Sequence, residues 1–171
     1  MGKRRFYGVI IRIAPNRHKW HTLEYMMLKK INHVNVVVSN LEEAKAFFIQ
    51  LGFSVGDESE LSGEWISSIV RLQNVKSRYV TLALPGTDTN LELIEYGSPP
   101  SERDPNMDKA NQIGFRHIAF EVENIEEVVH NLKNKGIKFI SSIHTYPKTG
   151  KQLVYFWGPD RILLELAQYS G

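Results

Sequence analysis

Polar and apolar residues alternate in two stretches of the chain. Val34, Val36 and Val38 alternate with His33, Asn35 and Val37, and Ile118, Phe120 and Val122 alternate with His117, Ala119 and Glu121. Period two marks a strand with one buried face. Each stretch runs into an asparagine, Asn40 or Asn124, with a glutamate three positions on, Glu43 or Glu127, an arrangement that caps a helix start. The spacing predicts helices over 41–51 and 125–135, ended by Gly52 and Gly136, where a left-handed residue is favoured. Further strands are predicted over 54–58, 77–84 and 91–96, then over 138–142, 153–157 and 163–169. The unit is strand–helix–strand–strand–strand, twice.

The two units are related as repeats. Displaced by 84 positions, residues 31–43 lie over 115–127 without a gap, matching the histidine, a valine, the asparagine and both glutamates, and Gly52 falls on Gly136. Residues 91–96 (LELIEY) lie over 164–169 (LELAQY) at a displacement of 73, so the second unit is shorter by 11 residues. Two ordered matches point to a duplication. The chain divides accordingly into a basic N-terminal extension, 1–29, and a domain, 30–171, built of modules 30–96 and 115–170. The linker 97–114 holds three prolines and little apolar material.

A helix that follows a strand packs on one face of its sheet, and the apolar sets of the two first strands are the natural floor for it. His33 and His117 therefore point to the opposite, concave side. By the same parity Leu93, Leu164 and Leu166 face the helices, while Glu92 and Glu165 face the concavity. One His and one Glu per repeat thus share a face.

Composition narrows the chemistry. The 171 residues are 42% hydrophobic and 23% charged, with no cysteine, so thiol nucleophiles, thiolate metal sites and iron–sulfur clusters are excluded. Any metal must rest on histidine and carboxylate. The apolar stretch at 9–14 is interrupted by Arg12 and is far short of the roughly 18 residues of a membrane span, and a cytoplasmic location is expected. Residues 1–30 carry eight Lys or Arg against one acid, Glu24, although the whole chain is only +2. Nothing after this arm resembles a nucleic-acid reading module. With Met26-Met27 just before the first regular pattern, it reads as an extension ahead of the domain.

His33 in INHVNVVVSNLEEA, Glu92 in LELIEY, His117 in GFRHIAFEVENIEE and Glu165 in LLELAQY resemble the metal ligands of the vicinal oxygen chelate superfamily. That superfamily includes glyoxalase I, methylmalonyl-CoA epimerase, extradiol dioxygenases, fosfomycin-modifying enzymes and bleomycin-binding proteins. The resemblance covers about residues 30–170. It implies an α+β fold in which two βαβββ modules form a cupped, mixed eight-stranded sheet. It further implies a homodimer and a divalent ion, Zn, Ni, Mn, Co or Fe(II), held by His33, Glu92, His117 and Glu165. The implied activity is that of a lyase or isomerase, with proton transfer beside a carbonyl of a small chelated substrate and Glu165 or Glu92 moving the proton. Glu165 is the first choice for the base. A metal-free drug- or metabolite-binding module and a metal-dependent dioxygenase or antibiotic-modifying enzyme are the alternatives on the same scaffold.

Other conspicuous residues carry plainer readings. Glu95 is expected as a solvated strand-end charge, Glu121 as a rim residue about 13 Å along the strand from His117, and His130 and His144 as solvent-facing. His18 and His21 sit in the arm without partner acids. Residues 64–72 read as a mobile segment leading into the cup, with Trp65 and Ile69 as an apolar wall, or equally as a segment whose Trp65 and Ile69 pack into the core. Arg71, Lys76, Arg78, Lys148 and Lys151 are scattered charges that would favour an anionic substrate, and Tyr155 could line the cup.

Overall fold

A computed structural model describes residues 28–170. His18, His21 and all but the last residues of the basic extension lie outside the described residues. From Ile31 onward the chain forms one compact unit.

The first repeat comprises β1 (His33–Val37), α1 (Leu41–Gln50), β2 (Ser54–Ser62), α2 (Glu64–Val70), β3 (Lys76–Ala83) and β4 (Asn90–Ser98). The second comprises β5 (His117–Glu121), α3 (Ile125–Asn134), β6 (His144–Thr145), β7 (Gln152–Trp157) and β8 (Leu163–Gln168). The eight strands divide into two four-stranded mixed sheets, one per repeat, ordered β1-β4-β3-β2 and β5-β8-β7-β6. In each, the first strand pairs parallel with the last, Asn35 opposite Glu92 and Ala119 opposite Glu165. The remaining pairings are antiparallel.

The helix ends follow the predicted chemistry. Asn40 and Asn124 accept from the backbone N–H of Glu43 and Glu127, each at 3.1 Å. A second cap comes from the last strand of the same repeat: Glu95 accepts from the Leu41 N–H at 2.8 Å, and Gln168 from the Ile125 N–H at 2.7 Å. Glu95 also pairs with Arg78 at 2.9 Å. It is on the face opposite Glu92, as alternation requires, but it is a helix cap and not a solvated strand-end charge. Each helix closes in the same way. Gly52 (φ 100°) and Gly136 (φ 86°) adopt the left-handed conformation, and the next residue, Phe53 or Ile137, donates its N–H back to Phe48 or Leu132. Phe53 then packs on Phe48, ring centroids 5.5 Å apart.

A single core collects the helix-facing sides of both repeats. Leu41, Ala44 and Phe48 of α1 and Ile125, Val129 and Leu132 of α3 join Val80, Leu82, Leu93, Val154, Phe156, Leu164 and Leu166. Phe53 meets Phe120 edge-on at 5.8 Å, carrying the packing from one repeat to the other.

Two local expectations are corrected. Residues 64–72, read without a regular element, contain α2, which the first repeat has and the second lacks. Its seven residues are too few for a 3.6 period to register. It is held by Ser67, whose hydroxyl donates to the Gly63 carbonyl and accepts from the Val75 N–H, and it ends where Arg71 turns left-handed (φ 56°). The strand expected over 138–142 is displaced to β6. Residues 138–140 do run beside β7, but only through the bonds Trp157 N–H to Lys138 and Ile140 N–H to Tyr155 and an isolated bridge at Phe139.

The repeats are also joined by a polar contact. After β7 the chain turns through Gly158–Ile162, with Asp160 (φ 52°) and Arg161 (φ 65°) both left-handed. Asp160 accepts from the Ser39 N–H (2.7 Å), the Ser39 hydroxyl (2.6 Å) and Arg103 of the linker (2.9 Å). Ser39 directly precedes the cap of α1, so this carboxylate ties the second repeat to the strand–helix junction of the first. Burial pushes the Asp160 carboxyl up, but the Ser39 bonds and the Arg103 charge outweigh it and leave it below the usual carboxylate value. A depressed folded-state value contributes stability that is present above the unfolded value and lost as pH falls through the folded one. Asp160→Asn, which keeps a residue tolerant of the left-handed conformation, is expected to cost about 1.5–3 kcal/mol at pH 7. In urea unfolding the gap between wild type and variant should hold from about pH 5 to 8 and shrink below about pH 4. An unchanged midpoint at pH 7 would show that the turn holds without the carboxylate.

Candidate functional site

His33 and Glu92 are brought together because β1 and β4 are parallel neighbours and both residues have cup-side parity. Their Nε2 and Oε1 atoms lie 3.8 Å apart. Asn35, cross-strand from Glu92 and on the same face, donates to Glu92 Oε1 at 2.9 Å, and the His33 Nδ1 is 2.9 Å from the Asn32 side-chain oxygen. Nearby on the sheet, the Tyr79 hydroxyl donates to Asp57 at 2.5 Å, an interaction that raises the phenol above its ordinary range.

The second repeat makes the equivalent pair more closely. His117 Nε2 lies 3.3 Å from Glu165 Oε2. Glu165 is only 3% exposed, whereas Glu92 is partly open. The Lys151 ammonium donates to Glu165 Oε1 at 2.7 Å, and Tyr155 stands cross-strand from Glu165 with its ring edge-on to His117 at 5.2 Å. The bond to Glu165 raises the Lys151 ammonium above its ordinary value. Burial, then the Glu165 carboxylate, raises the Tyr155 phenol.

Two imidazoles and two carboxylates are a donor set suited to the divalent ions named above. The 3.3 Å separation of the second pair is close to the roughly 3.0 Å expected between adjacent ligands each about 2.1 Å from one ion. The second pair therefore fits as half of a metal site, and the first, at 3.8 Å, is wider than that spacing. Among the described residues, no three His, Asp or Glu side chains lie close enough to form a common cluster. The four residues stand as two pairs.

The remaining candidates separate cleanly. Glu121 lies exposed at the end of β5. His130 is exposed on α3 and meets Asn134 one turn on, while His144 is exposed in β6. Trp65 and Ile69, one turn apart on α2, are both largely exposed, and Arg71 and Lys76 line an open cleft of about 900 Å³ beside that helix. Arg78 is engaged by Glu95 and Glu42 on the other face. Lys151 is not a scattered charge. Its parity with Leu153 and Tyr155 places it on the cup face, and that parity was the available signal. No helix among the described residues is long and apolar enough to cross a membrane.

Comparison with known proteins agrees with the fold. Residues 30–166 match the family model of the Glyoxalase/Bleomycin resistance protein/Dioxygenase superfamily. The chain is similar to the uncharacterized protein YwkD of Bacillus subtilis (strain 168), 34% identical over 82% of this chain and 98% of that protein. It is 30% identical to the mitochondrial methylmalonyl-CoA epimerase of Bos taurus over 82% of this chain and 75% of that one. Among solved structures, a glyoxalase family protein from Bacillus cereus superposes with a TM-score of 0.78 at 25% identity, covering 88% of this chain and all of the other.

The raised values of Lys151 and Tyr155 fix the sign of an alkaline effect. Such groups contribute stability that is complete below their unfolded values, about 10, and lost as pH rises through the folded ones. In chelator, the unfolding free energy of the wild type is expected to be level between about pH 7 and 9 and to fall above about pH 10. Glu165→Gln, which removes the charge both groups face, should fall less steeply. Equal slopes would exclude the Glu165 interaction as their source.

Proposed function

Because the chain belongs to the Glyoxalase/Bleomycin resistance protein/Dioxygenase superfamily, we propose that its cup is the active site of a metal-dependent isomerase or lyase that moves a proton beside the carbonyl of a small oxygenated substrate. The observation that supports this reading is the recurrence of a His–Glu pair at equivalent cup-face positions of both repeats, His33 with Glu92 and His117 with Glu165. Similarity to an epimerase at 30% identity favours the isomerase branch. The two pairs are separate among the described residues of one chain; brought together, as by a second subunit, the four residues would hold a divalent ion of the zinc, nickel, manganese, cobalt or iron(II) type. Bound there, such an ion polarises a carbonyl oxygen as a Lewis acid and makes the neighbouring C–H more acidic.

The protein's own groups then divide the work. Inverting a carbon requires a proton to leave one face and return to the other, and two carboxylates from opposite repeats are suited to that exchange. Glu165 is proposed to serve as ligand and base in turn: Oε2, the oxygen that Lys151 leaves free, would take the proton when it is not engaged as a ligand. Glu92, held by the neutral Asn35, serves the opposite face. Glu165 is shielded from bulk water, and a well-placed general base contributes about 10²- to 10⁴-fold. A homodimer in the cytoplasm belongs to the same proposal, since the exposed outer strands β2 and β6 are sheet edges that a second subunit would protect.

The test uses the whole chain, purified without added metal, analysed for bound elements and loaded with Zn, Co, Ni or Mn. Candidate substrates, namely chiral acyl thioesters, hemithioacetals, catechols and fosfomycin, are followed in deuterated solvent. Deuterium is expected to enter one substrate class at the carbon beside the carbonyl, only in loaded protein. Glu165→Gln should lower that rate about 10²-fold or more while keeping the metal, and His33→Ala and His117→Ala should each lose the metal. A wild type that binds no divalent ion, or tight binding of bleomycin-like compounds without metal and without turnover, would overturn the reading.

A further inference from the structure

Building on the proposed metal-dependent reading, we propose that Lys151 is a positioning residue that decides which oxygen of Glu165 is presented beside His117. A carboxylate has two equivalent oxygens, and its terminal torsion is broad and two-fold, so nothing intrinsic to glutamate selects one. Here the oxygens have different neighbours: Oε1 accepts the Lys151 ammonium at 2.7 Å, and Oε2 stands 3.3 Å from His117 Nε2. A charge-assisted bond is about twice as strong as a neutral one, which is enough to break the equivalence. The ammonium is itself held from a second side, 5.4 Å from the centre of the Tyr169 ring.

The first repeat shows what the pair is like without this device. Thr81 stands cross-strand from Glu92 where Tyr155 stands cross-strand from Glu165, and the side-chain donor to Glu92 is the amide of Asn35. There the imidazole and carboxylate lie 3.8 Å apart rather than 3.3 Å. The closer pair is the one with the ammonium behind it. Lys151 meets Glu165 and not the reacting atoms, so it acts through that carboxylate.

The direction of one measurement separates positioning from simple charge. Deleting a cation beside a ligand carboxylate would, by Coulomb attraction alone, tighten the binding of a divalent ion. Deleting the group that orients a ligand weakens it, typically 10- to 100-fold. Co(II) and Zn(II) affinities are measured on the full chain for wild type, Lys151→Met and Lys151→Arg, with circular dichroism to confirm folding and the Co(II) absorption spectrum as a report on ligand geometry. Lys151→Met is expected to bind about 10- to 100-fold more weakly with an altered spectrum, and Lys151→Arg, which keeps a charged donor, to bind within about 3-fold of wild type. If Lys151→Met does not fold, Lys151→Gln replaces it with the same expected loss. Equal or tighter binding by the neutral variant, or a loss in Lys151→Arg as large as in Lys151→Met, overturns the proposal. A wild type that binds neither ion overturns the metal-dependent reading as well, so the two failures are distinguishable.

Discussion

Parallel strands cannot be joined by a tight turn; the connection between them must leave the sheet and return. In each repeat the first and last strands are such a pair, with a helix and two further strands between them. That arrangement sets Asn35 beside Glu92 across 57 residues of chain, and Ala119 beside Glu165 across 46. The histidine and the glutamate of each pair are therefore neighbours only because the whole βαβββ unit has closed. Hence the structures that hold the helix to the sheet also hold the site. Glu95 and Gln168 cap the helices from the face of β4 and β8 opposite Glu92 and Glu165, so each last strand has a cup-side and a helix-side carboxylate or amide with opposite duties.

What was legible in the sequence was whatever repeats with a short period. Alternation placed the strands and their faces, the Asn-x-x-Glu and Gly signals bounded α1 and α3, and the internal match put one His and one Glu of each repeat on a common surface. Irregular pieces were not legible. Helix α2 is under two turns long and stops at an arginine in a conformation that usually signals glycine or asparagine. β6 is two residues, and the chain before it follows β7 without forming a ladder. The duties of Glu95 and Asp160 depend on backbone N–H groups 54 and 121 residues away. A free N–H at a helix start or strand end leaves no mark on the residue that will satisfy it.

The repeats differ on the face that carries the candidate site and stay alike where the helices are capped and closed. The caps and closures of α1 and α3 agree nearly atom for atom: an asparagine at the start, a second acceptor from the last strand, and a glycine followed by an apolar residue that bonds back across the turn. On the cup face the equivalents differ, Asn35 against Ala119 and Thr81 against Tyr155. A perfectly symmetric cup would offer two carboxylates in identical surroundings. The two repeats instead offer, in separate pairs, a buried carboxylate with an ammonium and a phenol beside it and a more open one with an amide.

That difference bears on any reaction in which a proton must cross from one side of a substrate to the other. Two carboxylates in the same setting would be interchangeable, whereas unequal neighbours make them chemically distinct. Glu165, drawn toward Lys151 and shut away from water, and Glu92, reached by solvent and bonded to Asn35, form such an unequal pair. Asp160, on the turn that leads into the strand of Glu165, joins the two repeats at Ser39. The duplicated fold thus supplies two copies of a binding half, and the substitutions beside each glutamate make the copies chemically distinct without disturbing the strand pairing that both depend on.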